Sequence, residues 1–90
     1  MSEVRRQVLI TNRRGLHARA SAKFVTLASG LGTELTVEKD GSKVTATSIM
    51  GLMMLGAAKG DTITISAEGD GAERAVATMC QLVEERFGEE

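Results

Sequence analysis

Leu35-Thr-Val-Glu-Lys-Asp-Gly-Ser-Lys-Val-Thr-Ala46 is the most informative stretch of this 90-residue sequence for its architecture. Leu35 and Val37 alternate with polar residues before the central Asp-Gly pair. Val44 and Ala46 alternate with polar residues after it. An Asp-Gly pair favours the mirror-image turns whose twist matches that of two paired antiparallel strands. The stretch therefore predicts a hairpin within a sheet that has one buried face and one wetter face.

Alternating residues predict one further strand on each side of this hairpin. Val4, Val8 and Ile10 share one side of a two-residue alternation, which predicts a strand over about residues 3–11. Ile63 and Ile65 alternate with threonine and serine, which predicts a strand near residues 61–67. Four strands are therefore expected in one antiparallel sheet.

Three helices are predicted between and after these strands. The first covers about residues 17–29 and ends at Gly30 or Gly32, and its apolar side is made of residues at helical spacing, namely Ala18, Ala22, Val25 and Ala28. The second covers residues 48–55 and has Ser48 as its cap. The third begins at an Asp70-Gly-Ala-Glu73 capping pattern and has an apolar stripe that reaches Phe87.

The predicted order is strand, helix, strand, strand, helix, strand, helix. Because the strands alternate between apolar and polar residues, the three helices must cover the one apolar face of the sheet. The sequence thus predicts an α+β open-faced sandwich, with a four-stranded antiparallel sheet in a single domain over residues 1–90.

Composition excludes several classes of function. The single cysteine, Cys80, cannot form a disulfide framework or a thiolate cluster for a structural metal. With no Trp or Tyr, a base-stacking nucleic-acid surface is not expected. Apolar runs are too short to span a bilayer, and no glycine pattern supports a nucleotide site. We therefore expect a cytoplasmic, monomeric protein without a metal or cofactor.

Charge is unevenly distributed along the chain. Residues 1–33 carry six basic side chains and one acidic side chain, whereas the remaining residues carry five basic and eleven acidic ones, so a +5 part precedes a −6 part. One explanation is chance together with solvated faces. The other is a local positive field that attracts phosphate or an acidic partner surface.

His17 is the residue with the clearest reason to be reactive. It follows the turn that ends at Gly15 and lies at the predicted start of the first helix, where free backbone amides and the helix dipole favour an anion. These groups also disfavour an imidazolium, so the ring is available as a nucleophile. Arg19 and Arg14 are candidates for contacting phosphate oxygens. A plain capping or surface histidine is the alternative explanation.

Two segments stand in register, Gly15-Leu16-His17-Ala18-Arg19-Ala20-Ser21 and Ser48-Ile-Met-Gly-Leu-Met-Met-Leu-Gly56. Together they resemble the HPr family of histidine-containing phosphocarriers in the bacterial phosphotransferase system. The first segment is similar to the family's active-site pattern Gly-Leu-His-Ala-Arg-Pro-Ala, and the second is similar to its regulatory serine region. The spacing of the two motifs, the strand order and the chain length also fit this family.

The resemblance implies a carrier without turnover of its own. His17 would accept a phosphoryl group from enzyme I, charged by phosphoenolpyruvate, and pass it to an enzyme IIA protein. Arg19 matches the family's active-site arginine and would stabilise the phosphate. Ser48 matches the serine that an HPr kinase/phosphorylase modifies in some relatives, a role compatible with its capping of a helix.

A surface for docking these partners is expected beside the histidine. The second helix has too many apolar residues to bury on one side, and methionine suits surfaces that meet several partners. Leu52 and Leu55 are expected in the core. The docking surface is expected to include Arg14, Leu16, Ala18, Ile49, Met50 and Met53, although burial of the apolar members is the alternative.

Two departures from the family pattern leave its branch open. Ala20 stands in place of the proline that would favour the first helical turn, and Arg14 stands where a small or polar residue is frequent in sugar-transport members. The first hypothesis is a relay for sugar transport. The second is a nitrogen-related or carbon-state regulatory relay without sugar transport. The third is an interaction module that has lost phosphotransfer.

Overall fold

The computed structural model describes residues 3–89 and contains the predicted elements in the predicted order. A short 3-10 helix follows the last α-helix, and we call Arg86–Gly88 the Phe87 turn. The strands and helices are β1 (Glu3–Leu9), α1 (Ala18–Ser29), β2 (Leu35–Lys39), β3 (Ser42–Thr45), α2 (Ile49–Met54), β4 (Thr62–Glu68) and α3 (Ala72–Glu84).

The four strands form one antiparallel sheet in the order β1-β4-β2-β3. The hairpin between β2 and β3 turns at Asp40 and Gly41, whose φ angles of 51° and 87° are both positive, as a mirror-image turn requires. Arg5 of β1 pairs with Glu38 of β2 across the polar face of the sheet, with a nitrogen–oxygen distance of 3.4 Å. The predicted hairpin and the wetter face are both confirmed.

The apolar face of the sheet lies beneath the helices. α3 packs on β1 and β4, α1 packs against α2 and α3, and α2 contacts β3. Apolar side chains from every helix and from β1, β2 and β4 meet in one core. Its largest fully buried apolar members are Phe24, Phe87, Ile10, Leu52, Ile63, Ile65, Met79, Val37, Val76 and Val83. The predicted α+β open-faced sandwich is therefore confirmed.

The predicted apolar side of α1 is correct at Ala28, which is buried, but wrong by part of a turn nearer the start of the helix. Ala18 is exposed and Val25 only half-buried, whereas Phe24 is fully buried. The alanines in this segment fit either orientation of the helix, so their spacing does not distinguish between them. The large Phe24 ring dominates the apolar area available for burial. Ser21 accompanies it inside because its hydroxyl donates to the Leu16 carbonyl at 3.1 Å.

The predicted Asp70 cap of α3 is also wrong. The cap is Gly71, whose φ of 81° is in the left-handed region that glycine adopts without strain. Its carbonyl accepts the first helical hydrogen bond, from the Ala75 amide at 2.9 Å. Asp70 lies exposed before the helix. The left-handed backbone of Gly71 therefore starts α3, and no side chain caps the helix.

The end of the apolar stripe of α3 departs from a helix. Phe87 is fully buried as expected, but it follows the helix in a left-handed conformation with φ 56°. Lys23 of α1 donates to the Phe87 carbonyl at 2.7 Å. The Phe87 turn is thus attached to α1 through its ring and through its backbone.

Cys80 lies buried in α3, and burial raises the pKa of its thiol. A buried thiol that stays protonated is a poor nucleophile, which suits a structural role. Among residues 3–89, no group of three or more His, Cys, Asp and Glu side chains is placed to hold a metal ion. No helix in the described part of the chain is long and apolar enough to cross a membrane.

Candidate functional site

Gly15 fixes the approach of the chain to α1. Its φ is +62°, and a Cβ atom there would lie 2.2 Å from the Ala57 carbonyl oxygen and 2.8 Å from the Ala58 Cα atom. The next amide, that of Leu16, donates to the same Ala57 carbonyl at 3.0 Å. Only glycine permits this close contact between the two loops. The contact positions the residue that follows Leu16.

That residue, His17, is the cap at the start of α1. Its backbone is extended, and its carbonyl accepts from the Ser21 amide at 2.9 Å. Its ring Nδ1 atom accepts from the Arg19 amide at 3.3 Å. The ring therefore lies at a helix end where backbone N–H groups and the helix dipole favour negative charge. A group bound at Nδ1 would meet these amides.

The other ring nitrogen of His17 contacts a carboxylate from the far end of the chain. Nε2 lies 2.7 Å from Oε2 of Glu89. Since an ionised carboxylate only accepts hydrogen bonds, Nε2 must carry the proton in this contact. The neutral ring then has its lone pair on Nδ1, where it accepts from the Arg19 amide. One tautomer satisfies both contacts.

Asn12 holds the Glu89 carboxylate from the opposite side. Its buried side-chain amide donates to Oε1 of Glu89 at 3.2 Å and to the Gly15 carbonyl at 2.8 Å. The Oδ1 atom of Asn12 has no hydrogen-bond partner among residues 3–89. Exchanging the two ends of this amide would place its oxygen against two acceptors. The two donated bonds therefore fix the orientation of the side chain.

The Glu89 carboxyl has a lowered pKa. Loss of hydration acts to raise this pKa, but the hydrogen bonds from the His17 ring and the Asn12 amide, together with the positive charge of Lys23, outweigh that effect. A lowered pKa means that the contact stabilises the folded state above the ordinary value of 4.5. This stabilisation is lost as the pH falls through the lowered value.

The two arginines predicted to bind phosphate differ in their position relative to the His17 ring. The Arg19 amide contacts the His17 ring, and its side chain is exposed beside it in the first turn of α1. Arg14 is exposed in the turn before Gly15. Ala18 is exposed between His17 and Arg19. The surface around the ring is therefore open and carries basic side chains.

Leu16 is wrongly assigned to the docking surface. Its side chain is only 4% exposed, because its amide is bound to Ala57 and its carbonyl receives the Ser21 hydroxyl. The apolar exposed surface comes from α2 instead. Leu52 and Leu55 are buried, as expected. We call the exposed remainder of the helix the Met patch, and it consists of Ile49, Met50, Met53 and Met54.

Ser48 caps α2, as predicted. Its backbone is extended, and its hydroxyl oxygen accepts from the Gly51 amide at 2.9 Å. The side chain is half-buried. It therefore lies at the start of the same helix that presents the Met patch.

Three residues of the site were not found from the sequence. Met54 is 80% exposed and completes the Met patch, and its place in an over-apolar short helix was a usable signal. Asn12 lies in the turn that ends at Gly15, and nothing local to it indicates a bond to Glu89. Glu89 was one carboxylate among twelve acidic side chains, and nothing local to it indicates a partner 72 positions away.

Comparison with known proteins gives consistent results for sequence and structure. The family model described as "PTS HPr component phosphorylation site" matches residues 4–85. Phosphocarrier protein NPr of Shewanella violacea is 42% identical over 89 residues, 99% of this chain and 98% of that protein. Phosphocarrier protein HPr of Cupriavidus necator is 41% identical over 86 residues, 96% of this chain and 97% of that protein.

A solved structure agrees with these sequence matches. The crystal structure of HPr-C-His from Thermoanaerobacter tengcongensis is similar to this chain with a TM-score of 0.89 and 48% sequence identity. The similarity covers 100% of this chain and 99% of that one. Fold and sequence therefore match over the same length.

Proposed function

This chain belongs to the HPr family of phosphocarrier proteins, which have no independent turnover, and from that premise we propose that His17 is its phosphoryl acceptor. The donor is phosphorylated enzyme I, charged by phosphoenolpyruvate, and the acceptor is an enzyme IIA protein. The observation that carries the proposal is the position of His17, with Nδ1 at the start of α1 and Nε2 on Glu89.

The chemistry requires a nucleophile and stabilisation of the arriving charge. The Nδ1 lone pair attacks phosphorus, and the nitrogen–phosphorus bond forms as the bond between the phosphoryl group and the donor breaks. The phosphate oxygens then lie near the first amides of α1 and the exposed Arg19 guanidinium, which favour negative charge. Such transfers depend mainly on positioning and electrostatic stabilisation, which this site supplies.

The direct test is incubation with enzyme I and phosphoenolpyruvate, followed by intact mass at neutral pH. We expect one acid-labile phosphate per chain, found on the peptide that contains His17. Omission of enzyme I is the blank, and a second HPr-family carrier verifies that the enzyme I is active. An unlabelled chain beside a labelled second carrier would contradict the proposal.

We propose that enzyme I and enzyme IIA dock on the surface formed by the Met patch, Arg14 and Ala18. Met50 is 72% exposed, and a flexible thioether surface suits more than one partner. The excess of basic residues in the first third of the chain favours an acidic partner surface. Docking and chemistry would then share one side of the molecule, since α1 and α2 are in contact.

Met50→Ala is expected to raise the KM of enzyme I for this carrier about fivefold, with kcat nearly unchanged, since it removes roughly 1 kcal/mol of apolar contact. Steady-state phosphoryl transfer measures both constants. The matched control is Leu9→Ala, since Leu9 is a large apolar residue 50% exposed on β1. An equal effect of both substitutions would contradict docking on the Met patch.

We propose that Ser48 is a site of regulatory phosphorylation by an HPr kinase/phosphorylase. Its hydroxyl lies at the N-terminus of α2, and a phosphate is electrostatically tolerated at such a position. The added negative charge would stand beside the Met patch and oppose the docking of an acidic partner.

Ser48→Asp is expected to slow transfer from enzyme I about two- to fivefold, equivalent to roughly 0.5–1 kcal/mol for an exposed charge interaction. Ser48→Asn is the matched control, because Asn and Asp are equally good helix caps and differ here in charge. Transfer rates at low and high salt measure the effect. Equal rates for the two variants would leave no role for charge at this position.

A regulatory relay in place of sugar transport is the second candidate. One of the similar proteins carries that name, since Phosphocarrier protein NPr is 42% identical over 99% of the chain, about as similar as Phosphocarrier protein HPr at 41%. Phosphorylated protein should be offered to enzyme IIA proteins of the sugar-transport and nitrogen-related kinds. Faster transfer to the nitrogen-related acceptor would support this candidate, and faster transfer to the sugar-transport acceptor would support the first.

A further inference from the structure

We propose that the polar face of the sheet binds a linear polyamine, in a depression of about 320 Å³ at the end of the sheet where β1 begins. The lining of this depression consists of Glu3, Glu34, Thr36, Ser66, Ala67 and Glu68. His17 follows the opposite end of β1, which finishes at Leu9. The depression is therefore separate from the site of phosphoryl transfer.

The first observation is a row of carboxylates across neighbouring strands. Glu3 of β1 is paired directly with Glu68 of β4. Glu34 immediately precedes β2, whose first pair joins Leu35 to Ala67 of β4. Glu34 thus lies on the other side of Glu68, and all three glutamates line the depression. Because like charges directly opposite each other destabilise a sheet, a cation bound here would stabilise the row.

Basic side chains neutralise this row only in part. Arg5 lies 3.7 Å from Glu3, but the same guanidinium also contacts Glu38 at 3.4 Å. Neither Glu34 nor Glu68 forms an ion pair with another residue between 3 and 89. Both are exposed, so their carboxylates are open to a ligand from solution.

A buried hydroxyl in the same depression is the second, independent observation. Ser66 of β4 is only 7% exposed, although it belongs to the polar face of the sheet. Its hydroxyl takes part in none of the side-chain hydrogen bonds of the described residues. Burial of a hydroxyl without a partner is unfavourable. The Ser66 hydroxyl therefore favours a ligand that brings a hydrogen-bond donor into the depression.

The spacing of these groups selects the kind of cation. In the described part of the chain, no three acidic side chains are placed to hold one metal ion together. Neighbouring strands lie about 4.8 Å apart, so a row across three strands spans about 10 Å. A linear polyamine distributes its ammonium groups over a comparable length, and a primary ammonium donates up to three hydrogen bonds. One ammonium group can then contact Glu68 and the Ser66 hydroxyl while another contacts Glu34.

The test is a titration of the isotope-labelled full chain with spermidine at low salt, followed by two-dimensional proton–nitrogen NMR. The amides of Ser66, Ala67 and Glu68 should shift and saturate, whereas those of α1 should not move. Butylamine, at an equal concentration of ammonium groups, is the control with a single charge and should bind about fivefold more weakly or worse. Equal binding of the two amines would contradict a site that holds two ammonium groups.

Three variants locate the binding on the chain. Glu68→Gln removes the central carboxylate and should weaken spermidine binding about fivefold. Glu84→Gln is the matched control, because it removes an equal charge from the exposed end of α3, and it should bind as the wild type does. Ser66→Ala should weaken binding about threefold or more. Its melting temperature should stay close to that of the wild type, because the hydroxyl has no partner to lose within the fold.

Each outcome supports or overturns the proposal. Weaker binding by Glu68→Gln and Ser66→Ala, with Glu84→Gln unchanged, supports it. Equal affinities for Glu68→Gln and Glu84→Gln would indicate attraction by net charge alone and overturn the site, and unchanged binding by Ser66→Ala would overturn the role of the hydroxyl. A saturable shift with trilysine but none with spermidine would overturn the polyamine and assign the surface to lysines of a protein partner. No enzyme I is present, so these results do not depend on the proposed function of His17.

Discussion

His17→Ala is expected to abolish phosphoenolpyruvate-dependent labelling altogether. The chain has one histidine, so the substitution removes the sole imidazole and with it the proposed nucleophile. Arg19 and the free amides of α1 remain, but they only stabilise charge and cannot form a bond to phosphorus. Intact mass after incubation with enzyme I measures the loss, and the added phosphate should be absent at every time point.

His17→Asn provides the matched control for folding. Asparagine keeps a side-chain acceptor at the cap of α1, whereas alanine does not, and the difference is typically about 1 kcal/mol of stability. Both variants should be unlabelled, and His17→Asn should keep a melting temperature close to that of the wild type. Labelling that persists in either well-folded variant would move the phosphoryl site to another residue.

Gly15→Ala is expected to have the second-largest effect, on both stability and transfer. A left-handed φ of +62° costs a non-glycine residue about 1–2 kcal/mol. In addition, the new Cβ atom would lie 2.2 Å from the Ala57 carbonyl oxygen, so one of the two loops must move. We expect a total loss of about 3 kcal/mol or more, equivalent to a fall in melting temperature of more than about 10 °C.

Gly32→Ala separates the destabilisation caused by backbone strain from that caused by the steric clash with Ala57. Gly32 has a similar φ of +70°, and nothing lies within 4 Å of the position that its Cβ would occupy. This variant should lose only about 1–2 kcal/mol, from backbone strain alone. It should be phosphorylated normally, whereas Gly15→Ala should be slow because the loop that positions His17 is displaced. Equal melting temperatures for the two variants would contradict the importance of the contact with Ala57.

Much of the fold is predictable because its signals are local. The Asp40-Gly41 turn, the alternation of the strands and the Ser48 cap each depend on residues within a few positions of one another. The orientation of α1 is different, since alanines on several sides of the helix leave its phase open until Phe24 is packed. The sequence leaves the cap of α3 open for a related reason. In Asp70-Gly71 the aspartate side chain and a left-handed glycine are both candidate caps, and no local pattern distinguishes them.

The candidate site is predictable in one half only. His17, Arg19 and Ser48 stand in contiguous motifs, so the sequence indicates them. Glu89 reaches His17 through the Phe87 turn. Arg86 and Phe87 are left-handed there although neither is glycine, so the sequence does not indicate the turn. The burial of Leu16 is not predictable locally either, because it depends on contact with Ala57, which lies far along the chain. Contacts made by tertiary packing set these positions, and no local pattern encodes them.

The strand order has a consequence for the way the chain acquires its structure during synthesis. β1 lies at an edge of the sheet, and β4 is its one neighbour, although residues 10–61 separate the two strands. Closing so long a loop has an entropic cost that no early local contact offsets. β1 therefore has no partner strand until β4 has left the ribosome. The β2–β3 hairpin can form before then. The pairing of β1 with β4 is therefore the last step in assembling the sheet.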